Sequence, residues 1–152
     1  ALRRNSLNTG EEVSAMKVHV EEFHVSTKAR EEVVVVTDKV ESIVARSGVR
    51  NGIALIYVPH ATAIITANEN EPRLKEDILN KLRSLFPRGA GYRHDEIDDN
   101  ANAHLANLFV GFHLVMPVVD GRLRRGTWQE VMLVEMDGPR SRRSVVVVVL
   151  GE

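Results

Sequence analysis

At 152 residues, with 43% apolar and 27% charged residues, the chain is long enough to bury one core and too apolar to be disordered. Its 20 basic and 21 acidic residues leave a net charge of -1, so no global positive field exists to hold nucleic acid or an anionic membrane. The absence of cysteine excludes disulfides, thiolate ligands and a cysteine nucleophile, leaving His, Asp and Glu as metal donors.

Residues 1–15 are polar and unpatterned, and are expected to form a flexible extension ahead of a single domain over residues 16–152. They lack the apolar middle of a secretory signal, and no apolar run in the chain is long enough to span a bilayer, so a cytoplasmic location is expected. Alternation from Lys17 to Val25 and the β-branched run Val33 to Val36 predict an opening pair of strands. Thr37 and Asp38 are good helix N-caps, Val40, Ile43 and Val44 follow at helical spacing, and Gly48 stands where the helix should stop. Ile53 to Val58 and Ala61 to Ala67 read as two central strands, with Pro59 and His60 at the break between them.

After Pro72, residues Leu74, Ile78, Leu82, Leu85 and Phe86 line one side of a helix that ends at Pro87. A loop rich in Gly, His and Asp follows, and Asp98, Asp99 and Asn100 offer N-caps for a third helix, Ala101 to Phe109, closed by Gly111. Phe112 to Val119, Trp128 to Met136 and Ser144 to Leu150 read as three strands, with turns at Asp120-Gly121 and Gly138-Pro139, suggesting an antiparallel meander. Without a regular βαβ alternation, the pattern favours an α+β single-domain sandwich of mostly antiparallel sheet with about three helices.

Of six histidines, His60, His94 and His104 stand where the chain breaks or caps. Three neutral imidazoles suit a divalent ion such as Zn²⁺, although their wide spacing is not a compact metal motif and scattered histidines are more often surface or core residues. Asn100 lies four residues before His104, so its amide can orient that imidazole, or simply cap the helix. Glu69 and Asn70 follow a strand and are expected at the same sheet end as His60, unless they only prepare the next helix. Thr127, Trp128 and Gln129 combine a ring that can stack on a flat ligand with two groups that can read its polar edge, though a strand Trp is more often core. Arg140, Arg142 and Arg143 crowd a tight turn where guanidinium groups can hold phosphate, unless they are simply solvated. Nucleotide-binding glycine motifs and the serine-hydrolase elbow are missing, so no nucleotide cofactor is expected.

Read together, several motifs resemble the ordered signature of the YjbQ family, whose members are often labelled secondary thiamine-phosphate synthases. They are His60-Ala61-Thr62-Ala63, Asn68-Glu69-Asn70, Asp77, His94, Asn100, Ala103-His104-Leu105, Gly121, Gly126-Thr127-Trp128-Gln129 and Glu135-Met136-Asp137-Gly138-Pro139-Arg140. The likeness covers nearly everything from Met16 onward. Two departures are Ala61 where the family usually has threonine, and Arg124-Arg125 ahead of the GTWQ motif where leucine is usual.

The resemblance implies a homotrimer that condenses hydroxymethylpyrimidine diphosphate with thiazole phosphate, as a side activity or a main one. It implies a catalytic set of His60, His94, His104 and Glu69. Substrate binding would fall to Thr62, Asn70, Asn100, Thr127, Trp128, Gln129 and Arg140, and a divalent metal (Zn or Mg) would sit on the three histidines. Two other readings compete. One is a metal-dependent hydrolase of a small phosphorylated or cyclic metabolite, with Glu69 or Asp95 as base. The other is a non-catalytic trimer that binds a small anionic ligand. Neither nucleic acid nor membrane is an expected partner.

Overall fold

A computed structural model describes residues 15–152. The expected flexible extension therefore lies, but for Ala15, outside the described residues. Along the chain come β1 (Lys17–Val25), β2 (Glu32–Val35), α1 (Thr37–Ser47), β3 (Gly52–Tyr57), β4 (Ala63–Asn68) and α2 (Pro72–Leu85). A short 3-10 helix (Arg93–Glu96), α3 (Ala101–Val110), β5 (His113–Val119), β6 (Arg122–Leu123), β7 (Glu130–Glu135) and β8 (Arg143–Gly151) follow.

The strands form two antiparallel sheets, ordered β1-β8-β3-β5-β6 and β2-β7-β4. The α+β sandwich is as the sequence predicts, but the last strands make no meander. β7 leaves to pair with β2 and β4, while β8 inserts between β1 and β3. The reason lies in side-chain pattern: Val131, Met132, Leu133 and Val134 are apolar on both faces of β7 and all buried. A strand of that kind is stable only with cover on both sides. β4 has the same character at Ile64 and Ile65, and it forms an edge of the small sheet rather than a central strand.

Three layers result. The inner face of the large sheet, including Ile56, Val145 and Val147, packs on Ala63, Ile65, Val131 and Leu133 of the small sheet, with Val40, Ile43 and Val44 of α1 closing that core. The other face of the small sheet, Ile64 and Val134, is covered by Leu82 of α2 and Ala103 and Ala106 of α3. Nothing among the described residues covers the outer face of the large sheet, where Val18, Val20, Ile53, Tyr57, Val115 and Val119 are exposed.

Helix boundaries follow the expected chemistry at most ends. Glu71 caps α2 by accepting from the N–H of Leu74 at 2.6 Å, and Gly48 ends α1 at φ 71°, a conformation that costs glycine nothing. The start of α1 departs from expectation: Val36 occupies the cap position and Thr37 is the first helical residue. The Thr37 hydroxyl instead donates to Glu130 and accepts from the N–H of Val131, which ties α1 to β7.

Candidate functional site

β7 ends in a charge that the core must neutralise. Glu135 is fully buried, and Arg143 at the start of β8 is 4% exposed. The guanidinium donates to both carboxylate oxygens, Thr27 donates its hydroxyl at 2.7 Å, and the N–H groups of Met136 and Asp137 complete the shell. Burial alone would raise the Glu135 carboxyl, but these bonds outweigh it and hold the carboxyl below its ordinary value. The pair is therefore charged, and Arg143 also donates to the Thr62 hydroxyl at 3.0 Å.

Thr27 carries this order outward to the turn after β7. Its N–H donates to the carbonyl of Arg140 at 2.8 Å, and its hydroxyl accepts from the N–H of Arg140 at 2.9 Å. The turn, which contains a cis Gly138–Pro139 peptide, lies so close to the loop after β1 that a Cβ on Gly138 would stand 2.1 Å from the carbonyl oxygen of Ala29. Glycine is the residue that this approach admits.

His60 is held from two directions. The N–H of Ser144 donates to its Nε2 at 2.8 Å, and Asn107 of α3 donates to the carbonyls of His60 and Ala63 at 3.1 and 2.7 Å. Burial, reinforced by the neighbouring Arg143 guanidinium, lowers the His60 imidazole below its ordinary value. The neutral ring accepts at Nε2 and so carries its proton on Nδ1.

A relay of amide and carboxylate joins the remaining histidines to the same end. Oδ1 of Asn100 lies 3.0 Å from Nε2 of His94, and Nδ2 of Asn100 donates to Oδ2 of Asp137 at 2.9 Å. Arg140 donates to that same oxygen at 2.9 Å. His104 packs edge-on against His94, with ring centroids 4.8 Å apart. Asn100 thus orients His94 rather than His104, and it does not cap α3 with its side chain. The carboxylate of Asp95 accepts from the N–H of Ala101 at 3.0 Å instead. Beside this cluster, His60, Arg140, Ser141, Arg142 and Arg143 line a cleft of about 240 Å³.

The predicted residues divide into two groups. His60, Thr62, His94, Asn100, His104 and Arg140 gather at one end of the small sheet, with Thr62 buried against Arg143 rather than facing the cleft. Glu69, Asn70, Thr127, Trp128 and Gln129 lie at the other, because Ala63 pairs with Glu135 and Asn68 with Glu130. Five residues of strand separate those pairs by about 16 Å. Trp128 is 70% exposed, ahead of β7 rather than within it. Gln129 spends its side-chain oxygen on the N–H of Gly126 at 2.7 Å.

Among the described residues, no three His, Asp or Glu side chains form a group able to hold a metal ion. The Nε2 lone pair of His60 is already engaged by Ser144. The expected set of His60, His94 and His104 therefore does not fit a metal ion within one chain. Glu135 and Asp137 stand in the family-like motif but have no predicted site role, and Asn107 is not predicted at all. Glu135 carries a sequence signal, since a lone acid in the run Val131–Met136 must find a buried partner. Asn107 carries none, because its role depends on where α3 docks. No helix among the described residues is long and apolar enough to cross a membrane.

Comparison with known proteins places these features in a family. The family described as UPF0047 protein YjbQ-like matches residues 21–152. A UPF0047 protein of Archaeoglobus fulgidus is 44% identical over 82% of this chain and 97% of its own. The UPF0047 protein YugU of Bacillus subtilis is 37% identical over 79% and 91%. The crystal structure of a YbjQ-like protein of unknown function from Sulfolobus solfataricus superposes with a TM-score of 0.90 at 51% identity, covering 91% of this chain and 100% of that one. The chain belongs to the YjbQ/UPF0047 family.

Proposed function

We propose that this chain binds a small phosphorylated metabolite in the cleft between His60 and the Arg140–Arg143 segment. Arg142 supports the reading most: it is exposed at the cleft and has no carboxylate partner among the described residues. Arg140 beside it is oriented by Asp137 and has its own side chain half exposed. Two guanidinium groups at one opening suit a phosphate or diphosphate, which accepts paired N–H donors.

The reaction we assign to this cleft is the condensation of hydroxymethylpyrimidine diphosphate with thiazole phosphate. The bond between the pyrimidine methylene carbon and the diphosphate oxygen breaks. The lone pair of the thiazole nitrogen forms the new carbon–nitrogen bond, and pyrophosphate departs with the charge that Arg140 and Arg142 neutralise. His60 contributes a neutral hydrogen-bond donor. The uncovered apolar face of the large sheet at Val18, Val20, Ile53, Val115 and Val119, leaving Tyr57 outside the contact, supports self-association, which we take as the homotrimer, and the lack of cysteine accords with a cytoplasmic setting.

Purified protein given both substrates is expected to form thiamine phosphate, and Arg142→Ala to form at least tenfold less. Absence of product from wild type overturns the transferase assignment. The binding reading is then judged separately by calorimetry with pyrophosphate, and absence of pyrophosphate binding overturns it.

A further inference from the structure

His60 borders a second opening. Tyr57, Pro59 and Phe112 join His60 and Asn107 around a groove of about 320 Å³, to which none of the arginines contributes. The Tyr57 and Phe112 rings meet edge to face at 5.9 Å and 85°, and the N–H of Val58 donates to the carbonyl of Phe112 at 2.8 Å, holding the two segments together. Both rings are partly exposed, at 37% and 45%, although each would be more stable buried. An apolar, aromatic groove and a cationic cleft therefore share His60 as a wall.

We infer that Tyr57, Pro59 and Phe112 form the subsite for a flat heteroaromatic ring whose attached phosphate or diphosphate lies against Arg140 and Arg142. This rests on the phosphate-binding reading above and assigns the other half of the ligand. A ring with a charged tail needs an apolar wall and a cationic pair within one molecular length, and His60 lines both openings. The neutral imidazole, donating from Nδ1, suits a junction between apolar and anionic parts because it adds no charge of its own. Trp128 is excluded from that role by position, since it stands beyond the opposite end of β7.

Calorimetry with two probes, pyrophosphate and hydroxymethylpyrimidine diphosphate, tests the assignment on wild type, Phe112→Ala and Phe112→Leu. Wild type is expected to bind the ring-bearing probe roughly tenfold or more tightly than pyrophosphate. Phe112→Ala should lose that difference and keep its affinity for pyrophosphate. Phe112→Leu preserves apolar bulk, guards against a folding defect, and should retain part of the difference. If pyrophosphate binds but the ring adds nothing, or if both variants keep the full difference, the subsite is overturned while phosphate binding stands. If neither probe binds, the phosphate reading fails and the subsite fails with it.

Discussion

Ser144 donates its backbone N–H to Nε2 of His60 at 2.8 Å. The bond joins the first pairing residues of β8 to the loop after β3, and it exists only while Nε2 is unprotonated. Protonation replaces an acceptor with a second donor facing a donor, beside the Arg143 guanidinium. The strand therefore selects one tautomer and one charge state of the imidazole.

His60 is expected to titrate below its ordinary value, for reasons of burial first and Arg143 second. Since its folded pKa lies below its unfolded one, the unfolded chain binds the proton more readily. The stabilisation is thus complete above about pH 6.5 and is lost as pH falls toward the folded value. Nitrogen–proton correlation spectra of the imidazole at neutral pH should show the Nδ1–H tautomer. A midpoint at or above about 6.5 would contradict this account.

Arg143→Met should cost about 3–5 kcal/mol, because it leaves the Glu135 carboxylate buried without its cation. Urea unfolding measures the loss. Pairing it with Glu135→Leu should recover much of the stability, since the double variant leaves no charge in the core. A double variant as unstable as the single one would mean that packing, rather than the unpaired charge, sets the cost.

Gly138→Ala drives a methyl group against the carbonyl oxygen of Ala29 and should destabilise by about 1–3 kcal/mol. The turn that carries Arg140 must shift to relieve the clash, so pyrophosphate affinity should fall as well. Thermal unfolding and calorimetry on the same preparation read both effects. Unchanged affinity in a destabilised protein would separate the turn from the cleft.

Trp128→Ala removes the only tryptophan from a site that is 70% exposed. Stability of the folded chain should change by no more than about 0.5 kcal/mol, and pyrophosphate binding at the far end of the small sheet should not change. A tenfold loss of that binding would mean that the two ends work on one ligand.

Local chemistry makes much of the fold legible in the sequence. The Pro72 start of α2, the Gly48 stop of α1 and the bounds of β1 all follow from propensity and capping. Sheet order was not legible, because pairing partners lie far apart in the chain: β8 reads as the end of a meander but sits between β1 and β3. Trp128 departs from its expected strand for a related reason. A β-prone residue beside an apolar run suggests a strand, yet Gln129 folds its side chain back onto Gly126 and closes a turn there. At the site, the Asn100 amide was recognised as a candidate, but its partner His94 is reached through the loop rather than along the helix. Helical spacing pointed to His104 and could not reveal that choice.

The position of β8 has a further consequence, for how the molecule comes to work at all. It is the last of the described strands in chain order, yet it is the sheet partner of β1 and one of the two partners of β3. It also brings Arg143 to Glu135 and Ser144 to His60. During synthesis the large sheet cannot close, and His60 cannot settle into its tautomer, until residues 143–151 have left the ribosome. Pairing over such sequence separation is slow, so folding and ligand competence should arrive together.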